Sequence, residues 1–191
     1  MTTTENRYQL HQRMKTNITD LDLKRYFPET ESNVIKYSEL ANVNSLYDLL
    51  PTDRSYKIIL IEDHYNSGHW TAIMRIGNTI ENFDSYGVAP DGELKFINKI
   101  QKVLLGEDKK YLTHLLDKVK DSKKVWNNVK LQKLSNGSAT CGRWVILRLI
   151  MMRDFGFTLK EFQDFIVEEK VVQVEQVEVK RTFLEWLTIL R

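Results

Sequence analysis

The spacing of apolar and polar positions changes character along the chain, and each change predicts a different kind of element. Over the first fifty residues apolar side chains recur at near-helical intervals. Ile18-Thr-Asp-Leu-Asp-Leu-Lys-Arg-Tyr-Phe runs up to Pro28, and Tyr37 to Leu50 runs up to Pro51, so short helices are expected there. Ile58-Ile-Leu-Ile61 is a continuous aliphatic run, the pattern of a strand buried on both faces. His69 to Ile76 reads as a second strand, Gly77-Asn78 as a two-residue hairpin turn, and Thr79 to Phe83 as the returning strand. Residues 95 to 130 are lysine-rich with helical periodicity, broken near Gly106. Arg143 to Met152 is apolar nearly all round, which predicts a helix packed inside the protein. Thr158 to Val167 reads as a further helix, with Thr158 as N-cap and Glu161 as its capping-box partner. Val172, Val174, Val177 and Val179 fit neither period, which leaves 171–180 open between strand and helix, while Phe183 to Leu190 looks helical. The expected class is α+β.

No Gly/Ser linker or internal repeat interrupts the 191 residues, so one domain is expected. It divides into a helical N-terminal part (1–55), a core (56–152) and a C-terminal helical part (153–191). Apolar residues at 42% and charged residues at 28% are the balance of an ordinary globular chain. The first residues carry neither a basic nor an apolar signal region, and no stretch approaches the roughly 20 apolar residues of a membrane span. Secretion and membrane insertion are therefore not expected. The single cysteine, Cys141, excludes an intrachain disulfide and a Cys-rich zinc site. The four histidines (11, 64, 69 and 114) are scattered, so no metal centre and no required cofactor are expected.

The hairpin makes a geometric claim. With Gly77-Asn78 as its loop, Ile76 stands opposite Thr79 and Thr71 opposite Asp84. His69 shares a face with Thr71, so His69 and Asp84 become diagonal neighbours, about 7–8 Å apart at the backbone. A carboxylate there can accept the imidazole N–H, fix the ring's tautomer and stabilise the imidazolium. His64, also near a strand end, has no such cross-strand carboxylate.

Cys141 follows the Asn136-Gly137-Ser138 loop and begins the buried helix. In a helix's first turn, unpaired N–H groups and the dipole favour a thiolate, and a nearby imidazolium favours it further. These are the conditions of a nucleophile. Gly142 leaves room for a substrate carbonyl, the Cys141 amide can face a developing oxyanion, and Gln132, nine residues upstream, offers a side-chain amide as second donor.

His69-Trp70, Phe83-Asp84-Ser85-Tyr86-Gly87, Gln132, Asn136-Gly137 and Cys141-Gly142 together resemble the landmarks of the adenain-like cysteine proteases. That family includes adenoviral, virophage and large-DNA-virus maturation proteases and the SUMO-specific proteases. The resemblance covers roughly residues 56 to 152, in the family's order of His, Asp and Cys. It implies a mixed sheet flanked by helices with the nucleophile at the N-terminus of a buried helix. By the resemblance, His69 is the general base, Asp84 its orienting group, Cys141 the nucleophile and Gln132 an oxyanion donor, with Trp70 shielding the site. The Gln132-to-Cys141 gap is longer than the family's, so either the loop carries an insertion or Asn136 takes the donor's place.

The implied activity is maturation of viral structural precursor proteins at Gly-containing sites, in the host cytoplasm, a viral factory or the virion. A deconjugase of SUMO-like modifiers is the alternative within the family. A noncatalytic nucleic-acid-binding virion protein of the same fold is the alternative outside enzymes. Eleven lysines and four acids between Lys95 and Lys133 give that segment a charge of +7. Either it is a solvated surface or it makes nonspecific DNA contacts. Because some adenain-like enzymes use viral DNA as a cofactor, DNA activation is an expectation of the resemblance. An activating peptide attached through a second thiol is excluded by the cysteine count.

Overall fold

The computed structural model describes residues 19–28, 33–132 and 140–171. Its centre is a five-stranded mixed sheet in the order β1-β2-β3-β4-β5. The strands are β1 (Val34–Lys36), β2 (Tyr56–His64), β3 (Ser67–Ile76), β4 (Thr79–Phe83) and β5 (Lys123–Trp126). The outer pairs, β1 with β2 and β4 with β5, are parallel, and β2-β3-β4 is an antiparallel meander. The class is α+β.

The meander follows the pattern of its side chains. In the β3-β4 ladder Ile76 pairs with Thr79, Arg75 with Ile80 and Ala72 with Phe83, the register that the Gly77-Asn78 turn dictates. Gly77 takes φ +55°, the left-handed backbone that a tight hairpin needs at its first loop position. Two expectations from periodicity are corrected. The N-terminal part contains a short strand, β1, besides its helices, and the lysine-rich segment contains β5. Both are short outer strands, too brief for a period-two pattern to stand out from its surroundings.

Helices cover both faces of the sheet. On one lie α1 (Asp20–Tyr26), α5 (Cys141–Phe155) and α6 (Leu159–Val171), packed on Ile58, Leu60, Trp70, Ala72, Met74 and Phe83. On the other lie a 3-10 turn (Tyr37–Asn42), α2 (Leu46–Leu49) and α4 (Tyr111–Lys118), packed on Ile59, Ile61, Ile73 and Ile80. Consecutive β2 residues thus feed opposite cores, which is why Ile58 to Ile61 is apolar without a break. A second 3-10 turn (Glu93–Phe96) and helix α3 (Lys99–Leu105) complete the described elements.

Helix α5 is buried along nearly its whole length, and the polar residue that interrupts it, Arg148, is fully buried. Its guanidinium makes two 2.7 Å bonds to the Glu81 carboxylate on β4 and a third, at 3.1 Å, to the Phe157 carbonyl. Thr158 and Glu161 form the capping bonds expected ahead of α6. Residues 172–191, including the ambiguous stretch after Val171, lie outside the described residues. No helix among those described is long and apolar enough to cross a membrane.

Candidate active site

Strand β4 ends at Phe83 opposite Ala72, while β3 runs on towards Ser67 with only β2 beside it. Asp84 leaves β4 at this gap and His69 reaches it from β3. The His69 Nε2 and the Asp84 Oδ1 lie 2.9 Å apart. Asp84 is fully buried, and the His69 side chain is only 12% exposed. The diagonal relationship read from the hairpin is thus a formed hydrogen bond.

The turn after Asp84 fixes the carboxylate. Its Oδ1 also accepts the Tyr86 N–H at 2.7 Å, and its backbone carbonyl accepts the Gly87 N–H and the Asn127 side-chain amide, at 3.1 and 2.6 Å. Gly87 has φ +71°, and a Cβ there would press on the backbone of Val129 and Lys130, so glycine is required for the chain to turn back.

Cys141 is the first residue of α5, with its side chain in the core cluster. Burial alone pushes its thiol pKa up. The His69 ring outweighs that, aided by the backbone N–H groups of Trp70 and Gly142, and the net shift is downward. His69 moves the opposite way: burial disfavours its charge, but Asp84 and Cys141 together hold its pKa well above the usual histidine range. Opposed shifts of this kind favour the charged form of both groups. With Nε2 committed to Asp84, the buried Nδ1 is the ring nitrogen left over to interact with the sulfur.

Gln132 is buried and joins the two halves of the site. Its Oε1 accepts the Thr140 hydroxyl at 3.1 Å and the Ser85 hydroxyl at 3.3 Å, while its Nε2 donates to the Tyr86 hydroxyl at 3.4 Å. It therefore touches the residue before the thiol and the two residues after the carboxylate. Asn136 lies outside the described residues. Gly142 is buried in the first turn of α5.

Trp70 is buried in the core cluster that also holds Trp144 and Cys141, and its backbone N–H helps to lower the thiol pKa. The aromatic that covers the base is Tyr86, stacked on the His69 ring at 4.2 Å and 17°. Burial, with the negative charge of Cys141 and Asp84 nearby, pushes the Tyr86 hydroxyl up to about 12. Phe96 meets Tyr86 edge-on at 5.7 Å and is 44% exposed.

Sequence reasoning missed Tyr86, Phe96 and Glu93. Tyr86 lies in the Asp84-Ser85-Tyr86-Gly87 turn that binds its own carboxylate through the Tyr86 N–H. Glu93 is buried, and its pKa rises to about 8, through burial first and then the nearby Asp84 charge.

Of the other histidines, His64 and His114 do not join the site, and His11 lies outside the described residues. His64 stands exposed at the end of β2 beside Asp63, and His114 is exposed on α4. Among the described residues no cluster of three or more potential metal ligands occurs. The lysines from 95 to 130 are spread over the second 3-10 turn, α3, α4, β5 and their connections rather than gathered on one element, and Lys133 lies outside the described residues.

Uncharacterized protein V9 of Sputnik virophage is 35% identical to this chain over 133 residues, which cover 69% of the chain and 71% of V9. No family model and no solved structure matches the chain.

Proposed function

The chain belongs to the family of the Sputnik virophage protein V9, and we propose that it is a cysteine endopeptidase of adenain-like fold that matures virion precursor proteins. The observation that carries this reading is the line of three groups Asp84, His69 and Cys141, with the thiol at the start of α5 and its pKa lowered by the ring. A cysteine buried only for packing would have no such partners and its pKa would rise. The viral setting rests on the relative and on the resemblance of the ordered motifs.

The chemistry is acyl transfer. The Cys141 thiolate attacks the scissile carbonyl carbon, and the carbonyl π electrons move onto oxygen. The Cys141 amide and the Gln132 Nε2 are the donors for that oxyanion. As the intermediate collapses, the amine leaves with the proton from His69 Nδ1, and a thioester remains on Cys141. His69, now neutral, takes a proton from water, whose oxygen attacks the thioester. The thiolate departs and the acid product is released. Asp84 keeps Nε2 protonated throughout, so that Nδ1 always faces the reaction. Cleavage at Gly-containing sites belongs to the same proposal.

The test is co-expression of the virion proteins with the wild-type chain or with C141A, followed by mass spectrometry of new N-termini. The expected result is processing by the wild type alone. Equal processing by both would sink the reading. A ubiquitin-like probe with a C-terminal electrophile should leave Cys141 unlabelled, and labelling would point to a deconjugase instead.

A further inference from the structure

Helix α3 (Lys99–Leu105) has no buried residue, and three of its four large apolar side chains are exposed. Ile100 is 70% exposed, Val103 60% and Leu104 78%. A helix of a globular domain normally turns such residues to the core, so this face is built to be covered. Its position is informative. α3 packs against β2, and the strand end it flanks is where Glu62 pairs with Gly68, one residue before His69. Glu107, just beyond α3, accepts the Glu62 N–H at 2.9 Å and ties the end of α3 to that edge. Phe96, just ahead of the helix, is the exposed end of an aromatic series that runs through Tyr86 to His69.

We propose that Phe96 and the outer face of α3 form a recognition surface for the substrate polypeptide, binding an apolar segment that carries carboxylates near the bond to be cut. This deepens the protease reading and rests on it. The apolar part of the preference comes from Ile100, Val103 and Leu104. The acidic part comes from Lys95, Lys99 and Lys102, which border them; the Lys95 ammonium lies 4.8 Å from the Phe96 ring centroid. Nucleic acid fits this face less well, because phosphates are met by basic and polar groups and three exposed aliphatic side chains would gain nothing there. Phe96 touches Tyr86, which stacks on His69, so the aromatic end of this surface leads to the proposed catalytic groups.

The test uses the full chain as C141A, which binds without cutting. Fluorescently labelled overlapping peptides that tile the virion proteins are titrated against C141A and against C141A carrying I100S, V103S and L104S, with C141A/F96A as a second variant. All altered side chains are exposed, so folding is preserved; circular dichroism checks this. The expected result is that the bound peptides combine apolar residues with Asp or Glu, and that both variants weaken them by about tenfold or more. Equal binding by all three proteins overturns the proposal. So does a triple variant that loses only salt-sensitive DNA binding, or only concentration-dependent self-association. Cleavage by the chain with Cys141 intact is read separately. If the peptides bind the patch but are never cut, the protease reading fails and the surface stands. If cutting proceeds equally well in the presence of the three serine substitutions, the surface fails alone.

Discussion

Tyr86 lies flat on His69, with ring centroids 4.2 Å apart and planes inclined by 17°. The stack restricts the imidazole to rotation in its own plane, and the Asp84 bond removes that freedom as well. It also sets an electron-rich face against a ring that carries positive charge, a contact worth about 1–2 kcal/mol when shielded from water. Tyr86→Leu is therefore expected to slow cleavage about tenfold, largely in kcat. Tyr86→Phe keeps the stack but loses the hydroxyl that accepts from Gln132, so it should slow cleavage less. Steady-state kinetics on a precursor substrate separates the two, and equal rates for Tyr86→Leu and wild type would show the stack to be inert.

The Asp84 carboxylate holds the imidazolium, and through it the thiolate. On the proposed mechanism the reactive ion pair exists between the lowered thiol pKa and the raised imidazole pKa. Asp84→Asn removes a negative charge that raises the ring, so His69 should lose its proton at lower pH and the alkaline limb of activity should move towards neutrality. By analogy with other catalytic carboxylates, activity should fall about a thousandfold or more. The pH dependence of iodoacetamide alkylation gives an independent readout, because Cys141 is the one thiol in the chain. An alkylation profile unchanged by Asp84→Asn would refute the coupling.

The meander and its chemistry were legible because one turn determines both. Gly77-Asn78 sets the pairing of β3 with β4, and that pairing brings Asp84 within reach of His69. Nothing comparable was available for β5, whose lysines look like those of the helices before it. Gln132 was legible as a polar group near the thiol but not as a buried bridge, since its partners Ser85 and Thr140 come from opposite sides of the fold. Tyr86, Phe96 and Glu93 belong to the long connection after β4, where no periodicity constrains the chain.

Glu93 gives the fold a pH dependence of its own. Its folded-state pKa of about 8 lies above the ordinary glutamate value of 4.5, because burial, then the Asp84 charge and that of Asp91, oppose ionisation, while His69 works the other way. A raised folded pKa contributes stability that is fully present below the unfolded value and is lost as pH rises through the folded one. Urea midpoints should therefore fall between about pH 5 and pH 9 in the wild type. Glu93→Gln cannot ionise, so its midpoints should fall less over that range. An equal fall in both proteins would assign the slope to other groups.

Arg148 and Glu81 link α5, which begins at Cys141, to β4, which leads into Asp84. Glu81 lies three residues before Asp84 on β4, and Arg148 lies seven residues, about two turns, after Cys141 on α5. Both side chains are buried and joined by two 2.7 Å bonds. Arg148→Met leaves a buried carboxylate without its cation, which should cost about 3–5 kcal/mol. The double variant R148M/E81L replaces the pair with apolar groups and should recover most of that stability. Activity need not return with it, because the bidentate bond also fixes the helix against the strand. The expected outcome is a double variant with a near-native urea midpoint and a lowered kcat. If midpoint and kcat recover together, the ion pair contributes to stability alone.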